Sequence, residues 1–477
     1  QILSEGYFAI GGIDYKDKYI LDMLFRKDGS SLFGENERWQ NYYRVSSAWR
    51  LSEEAFWSSL KGTVNEAKFR FSKGTAGNRP SFAAQYETYN VSGGIISKQN
   101  LGNKDLLPEF STETELGFDF SIMNKYSVQI TQATSIIENQ ILLVPLQGFY
   151  GYESQWKNAG TLTSKTLELS LQAVLMSNRD MQWTANVLYD KSTSEITEFD
   201  LPPYLWSPEE SWWAFPVFMN QTGELLGNLY GHKFIRDLDD LPSHVEKSEF
   251  DINDDGYVVW VGSGNNYEMG ISDNLWGGST TLYSSDSSSS SSYNWGRPII
   301  YSEEDGNDIV NIGTTNPDFN YAFGTDFRFK GLSIYLLFEG QKGGNIYNFT
   351  RQWAFRDHAS PEDNQGDKKD SEKKPTVYYD DLYDVAGPNS HFVEDASYLK
   401  LQELAVRYDL NLSRLGFNNR VTLGVIGRNL ITWSDYLGYD PDVGASGNDG
   451  GSAVIARFDG YQYPNFRTLT FTLEVEI

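Results

Sequence analysis

Apolar and polar residues alternate with a period of two along most of the chain. In the last ten residues, TLTFTLEVEI, Leu469, Phe471, Leu473, Val475 and Ile477 are apolar, and Thr468, Thr470, Thr472, Glu474 and Glu476 are polar. A period of two places the two sets on opposite faces of a strand. KTLELSLQAVL repeats it, with Leu167, Leu169, Leu171, Ala173 and Leu175 opposite Glu168, Ser170 and Gln172. ELGFDFSI sets Leu116, Phe118, Phe120 and Ile122 against Glu115, Gly117, Asp119 and Ser121, and GLSIYLLF, VTLGVIG and QWTANVLYD behave alike. The polar side often carries charge, as with Asp22 and Arg26 behind Tyr19, Leu21, Met23 and Phe25. The pattern predicts an all-β chain of about thirteen strands, at roughly 6–14, 19–28, 42–52, 63–74, 113–121, 126–137, 162–176, 182–191, 319–329, 332–341, 398–409, 420–429 and 467–476. Each runs about nine to eleven residues, the length that crosses a bilayer when tilted. In SYLKLQELAVRYDL the parity changes at Gln402–Glu403, which predicts a β-bulge.

The connections fall into two sizes that mostly alternate. Short ones are YKDK (15–18), MNK (123–125), SNRD (177–180), KG (330–331) and LGFNN (415–419). Long ones are DGSSLFGENER (28–38) and residues 138–160, 190–318, 343–396 and 431–465. Short turns at one end and long loops at the other are the asymmetry of an antiparallel transmembrane β-barrel. A soluble sandwich has moderate loops at both ends. Two inserts, SSDSSSSSSY (284–293) and RDHASPEDNQGDKKDSEKKP (356–375), are too apolar-poor for a membrane wall. Thirteen is an odd count, whereas single-chain bacterial barrels have even ones. The first and last strands run the same way, so the expectation is that upstream strands are missing.

Composition narrows this further. Mean hydropathy is −0.48, and no apolar run approaches the roughly 18 residues of a transmembrane helix, which excludes a helical membrane protein but not a barrel. The chain has 477 residues, 15% of them aromatic, and no cysteine, so disulfides, thiolate nucleophiles and Cys–metal sites are excluded. A formal net charge of −26 argues against nucleic acid as a partner. The chain opens on Gln1 without a leader, which suggests a processed form or a piece of something longer.

Several blocks, taken in order, resemble the SusC/RagA-type TonB-dependent transporters of Bacteroidota outer membranes. DYKDKYILDMLFRKDGSSLFGENERWQNYYRVSSAWRLSEEAF (14–56) resembles that family's mid-barrel block, and EAKFRFSKGTAGNRP (66–80) its next strand and loop. VNIGTTNPDFNYAFG, FEGQKGGNIYN, DASYLKLQELAVRYDL, VIGRNLITWSDYLGYDPDVG and YPNFRTLTFTLEVEI resemble its later strands. The resemblance runs from about residue 6 to 477, with gaps in the loops. It implies that residues 1–477 are the C-terminal part of one 22-stranded barrel domain, lacking the N-terminal plug and upstream strands. The face of Leu469 to Ile477 would touch lipid, although family members commonly end in Phe. It further implies an outer-membrane nutrient importer of oligosaccharide or peptide, with loops facing the exterior of a Gram-negative cell. A SusD-like surface lipoprotein would act as lid and TonB would supply energy through the plug. No cofactor is required and no residue does covalent chemistry.

Candidate sites lie in the long loops. DINDDG places Asp251, Asn253 and Asp255 at alternate positions before Gly256, the opening of a calcium loop, though the bidentate Glu is replaced by Gly262. A structural calcium is one reading and an Asx-rich turn the other. Trp206, Trp212, Trp213, Trp276, Trp295 and Trp353 are candidates for stacking on sugar rings or a partner; the alternative is that they pack the loops together. Trp39, Tyr42, Tyr43, Trp49, Trp57 and Trp433 suit an interfacial girdle. The four histidines, His232, His244, His358 and His391, show no metal-ligand spacing, and nothing supports catalysis. The rival reading is a soluble, secreted all-β glycan-binding protein or glycosidase, which aromatic richness and acidity fit equally well.

Overall fold

The computed structural model describes residues 2–32, 38–206, 216–243, 245–283, 290–411, 420–442 and 457–476. Thirteen strands form one antiparallel sheet in chain order: β1 (Ser4–Tyr15), β2 (Tyr19–Ser30), β3 (Trp39–Arg50), β4 (Val64–Asn78), β5 (Glu109–Ile122), β6 (Tyr126–Glu138), β7 (Thr161–Ser177), β8 (Met181–Glu198), β9 (Phe319–Phe329), β10 (Leu332–Lys342), β11 (Tyr398–Asn411), β12 (Arg420–Ser434) and β13 (Thr468–Glu476). Each strand pairs with its sequence neighbour, and β1 and β13 are the two edges. The predicted number and order of strands match this sheet.

Register carries the two-faced pattern from edge to edge, because directly paired residues share a face. Leu24 pairs with Arg44, Arg44 with Gly74, Arg70 with Gly117 and Asp119 with Gln129. Farther on, Asp326 pairs with Tyr335, Ala405 with Ile426 and Thr422 with Glu474. One face therefore carries Asp22, Arg44, Lys68, Arg70, Asp119, Asp326, Glu403, Arg407 and Glu474. The other carries Phe69 with Phe118, Phe71 with Leu116, Leu171 with Val187, and Val425 with Phe471. Among these apolar residues, Phe118, Val187, Val425 and Phe471 are exposed. The expected bulge is present: Gln402 is an extra residue of β11 against β10, where adjacent Leu337 and Phe338 pair with Glu403 and Leu401. That extra residue keeps Leu399 and Leu401, and then Leu404 and Val406, on the apolar face.

The two ends of the sheet differ as expected. Tight turns join β1–β2, β5–β6 and β9–β10, with positive φ at Lys16 and Asp17, Met123 and Asn124, and Lys330 and Gly331. Two successive left-handed residues make the turn that matches the twist of a hairpin. The LGFNN turn lies outside the described residues. At the same end, residues 51–63 form a longer link containing the 3-10 turns Leu51–Glu53 and Ala55–Trp57.

The strands outrun their apolar signal at the loop end. β8 continues to Glu198 and β12 to Ser434, so the loops following them begin later than expected. The extension of β8, KSTSEITE, has no apolar alternation to read. It is held by hydroxyl pairs across the ladder, Ser164 to Ser194 at 2.7 Å and Thr166 to Ser192 at 2.9 Å. Residues 79–108 form a further long loop absent from the expected set, with a hairpin of Tyr89–Ser92 and Ile95–Lys98.

Candidate functional site

Near the short-turn end the charged face holds a cavity of about 720 Å³ lined by Asp326, Arg328, Glu403, Arg407, Asp409 and Glu474 among others. Arg328 pairs with Asp326 at 3.0 Å and Arg428 with Glu403 at 2.7 Å. Across the sheet, Asp119 takes Lys68 at 2.8 Å and Arg70 at 3.0 Å, while Arg70 also donates to Thr131 Oγ1 at 3.2 Å. Gly117 leaves the room that the Arg70 guanidinium fills, since a Cβ there would come within 2.7 Å of it. These solvent-accessible pairs of mixed sign offer many weak, reversible polar contacts rather than one tight site.

At the other end, three long loops, 199–318, 343–397 and 435–467, fold into one body. Its core includes Phe218, Leu229, Phe234, Tyr257, Tyr347, Phe349, Phe355, Phe392 and Phe458, drawn from all three. Polar ties reinforce it. Arg297 makes a two-pronged pair with Asp381 at 2.9 and 2.6 Å. Arg351 joins Glu362 at 2.5 Å and Glu394 at 3.2 Å. Tyr436 donates to Asp459 at 2.5 Å. Lys400 of β11, 1% exposed, pairs with Asp440 at 2.8 Å and Asp442 at 3.2 Å, fixing the third loop to the sheet. His391 lies inside, its Nδ1 2.9 Å from the Tyr257 hydroxyl and its Nε2 3.2 Å from Arg351. Burial, followed by the Arg351 charge, pushes its pKa down to about 3.

Of the six candidate tryptophans, the four that are described have different surroundings. Trp295 is 3% exposed, stacked on Tyr267 with its indole N–H donated to the Val261 carbonyl at 3.1 Å, which leaves no face for a sugar. Trp206 and Trp353 pack on the loop core, beside Phe218 and Phe349, as the packing alternative anticipates. Trp276 is 87% exposed and is the one of the four described tryptophans with an open ring. Trp212 and Trp213 lie outside the described residues, as does His244. Of the girdle set, Trp39, Tyr43, Trp49 and Trp433 are exposed, whereas Tyr42 is buried against Phe110 on the charged face.

DINDDG forms an Asx-type turn and an ion pair. Asn253 Oδ1 accepts from the amides of Asp255 at 3.0 Å and Tyr257 at 2.9 Å, and Asp251 Oδ2 accepts from the Tyr267 amide at 2.8 Å. Asp255 takes Lys374 Nζ at 2.7 Å and the Tyr378 hydroxyl at 2.5 Å, and Lys374 also reaches Asp254. The Lys374 ammonium therefore sits against the Asp254 and Asp255 carboxylates. Burial tends to raise the Asp255 carboxyl, but the Lys374 and Tyr378 hydrogen bonds outweigh it and the net shift is downward. Among the described residues no three His, Cys, Asp or Glu side chains group as metal ligands.

Charge is distributed unevenly. The three loops of this body hold 36 Asp and Glu against 12 Lys and Arg, a net −24 of the chain's −26. Hydrophobic periodicity does not carry this segregation; counting charges segment by segment does.

A sheet with one charged and one apolar face, tight turns at one end and a folded loop body at the other is the arrangement of a membrane barrel wall. The family model described as TonB dependent receptor-like, beta-barrel matches residues 4–260, more than half of the chain. The chain belongs to this family. TonB-dependent receptor barrels are outer-membrane proteins, not enzymes, and this membership sets aside the soluble glycan-binding or glycosidase reading. TonB-dependent receptor P39 of Formosa agariphila is 28% identical over 99% of this chain and 46% of its own length. TonB-dependent receptor SusC of Bacteroides thetaiotaomicron is 24% identical over 40% of this chain and 20% of its own. The RagAB peptide transporter structure shares the fold, with a TM-score of 0.70 at 19% identity over 99% of this chain and 48% of that one. The chain spans about half the length of the curated relatives it matches over nearly its full extent.

Proposed function

We propose that this chain supplies part of the barrel wall and the outward-facing loops of a TonB-dependent importer for oligosaccharides or peptides. The observation that carries the reading is the two-faced pattern carried across thirteen strands, in a chain whose curated relatives are TonB-dependent receptors. The apolar face meets lipid and the charged face lines the lumen. Its mixed-sign pairs suit a polar cargo that must be held and released. The unpaired backbone of β1 and β13 is met by further strands, because an open edge cannot face hydrocarbon. A plug inside the lumen receives energy from TonB. The loop body faces the exterior and meets a SusD-like lipoprotein acting as a lid, with Trp276 as its open aromatic contact for cargo or lid. RagAB, whose fold this chain shares, is a peptide transporter, which supports the peptide class of cargo.

The test is extraction of native outer membranes with detergent, capture through a loop tag, and mass spectrometry of what co-purifies. Recovery only in detergent, with a plug-bearing polypeptide and a lipoprotein, is expected. Recovery alone from a detergent-free soluble fraction would overturn the proposal.

A further inference from the structure

The apolar face is not apolar throughout. Rows of directly paired residues cross it from β4 to β8, and their chemistry changes within three rows. One row runs Phe69, Phe118, Ile130 and Leu169, and the next runs Phe71, Leu116, Gln132, Leu167 and Lys191. The third, closer to the loops, is polar: Lys73, Thr114, Thr134, Lys165 and Thr193. It continues into β3 and β2 as Val45 and Met23, so the lysines border the apolar band directly. β4 to β8 are inner strands, paired on both sides, so the open edges of the sheet do not set their exposure. Lys73, Lys165 and Lys191 are exposed.

Among the described residues, the strand lysines that form ion pairs, Lys68 and Lys400, do so on the charged face, and Lys73, Lys165 and Lys191 form none. Glu195 stands one row closer to the loops, opposite Thr163, and makes no ion pair with Lys165. Lys191 lies diagonal to Lys165 across the β7–β8 ladder, a placement that sets two residues about 7–8 Å apart. Two ammoniums at that spacing repel unless an anion joins them.

The surroundings select the anion. Its carrier must lay an apolar body on Phe71, Leu116 and Leu167 while its charge reaches the lysines. Lysine suits this, since its stem lies along apolar surface and its ammonium reaches the head-group level. Thr134 and Thr193 flank Lys165 in the same row and add hydroxyl donors. The loop body, at net −24, repels anionic head groups from the rest of this end.

We infer that Lys165 and Lys191, extended by Lys73, seat the phosphate of an anionic lipid in the outer leaflet, with its chains along Phe71, Leu116 and Leu167. This rests on the reading that the apolar face meets lipid and adds a chemical class of lipid to it.

Native mass spectrometry of the full barrel, purified in detergent from outer membranes, tests this with phosphatidylglycerol and phosphatidylcholine as separate probes. The double variant Lys165→Gln/Lys191→Gln should retain roughly tenfold less phosphatidylglycerol than wild type, with phosphatidylcholine retention unchanged. Lys104→Gln, in the 79–108 loop, should behave as wild type. Equal phosphatidylglycerol retention in the double variant and wild type would overturn the inference, as would an equal loss in Lys104→Gln. Displacement of the lipid by excess inorganic phosphate would also overturn it, because the site would then take a free anion. Any of these outcomes leaves phosphatidylcholine bound and the barrel reading intact. If no form retains either lipid, the barrel reading itself falls.

Discussion

Two buried ionisable residues set the behaviour of the loop body. His391 is held neutral among Tyr257, Arg351 and Asp255, with its pKa near 3 in the folded chain, against about 6.5 when unfolded. Between those values the unfolded chain binds a proton that the folded one refuses, so stability falls as pH drops from about 6.5 toward 3. The maximum slope is about 1.4 kcal/mol per pH unit. Thermal melting of the detergent-solubilised protein at pH 7 and pH 5 should show a drop that shrinks in His391→Gln; an unchanged drop would assign the acid sensitivity to other groups. Lys400 works differently. Its ammonium is enclosed with Asp440 and Asp442, and removing one member of a buried pair leaves the other charge uncompensated. Lys400→Met should therefore loosen residues 435–442 by about 3–5 kcal/mol, read as faster proteolysis there. A cleavage rate equal to wild type would mean that Glu394 and Asp459 hold the loop unaided.

At the scale of elements, the sheet was legible because its signal is geometric. Every apolar residue on the wrong face of a barrel strand is penalised, so Leu167 to Leu175 or Leu469 to Val475 spell out the strand. The parity break at Gln402 was legible for the same reason. It also makes a prediction: deleting Gln402 restores simple alternation, so Leu399, Leu401, Leu404, Val406 and Tyr408 stay on the apolar face of a plain strand without a bulge. Such a protein should keep the compact, heat-modifiable band of a folded barrel on a detergent gel. Loss of that band would mean that the bulge itself is needed to fit β11 between its neighbours. Strand ends were not legible. KSTSEITE in β8 is polar on both faces, and its pairing depends on Ser164 and Thr166, some thirty residues upstream. The loop body was illegible for a similar reason. Its core joins Phe218, Phe349 and Phe458, which no local period connects, so tryptophans such as Trp295 that look available in sequence are enclosed in space.

For the whole molecule, the division between a nearly neutral wall and a loop body of net −24 matters more than any single carboxylate. Pairs such as Arg297–Asp381 and Lys374–Asp255 neutralise part of that charge, but twelve basic residues cannot balance thirty-six acidic ones. The excess should produce a negative potential over the loop end, strongest at low salt, where the Debye length reaches about 30 Å at 0.01 M. Cations are then drawn to the entrance and polyanions repelled from it. Because the chain contains no cysteine, a thiol placed at exposed Trp276 reports this without background. Trp276→Cys should react with a cationic thiol reagent roughly tenfold faster than with an anionic one of the same size at about 10 mM salt, and the ratio should approach one at about 500 mM. A ratio near one at both salt concentrations would mean that bound counter-ions already neutralise the loops. On the importer reading proposed above, cargo selection would then rest on contacts such as the open Trp276 ring rather than on the field around it.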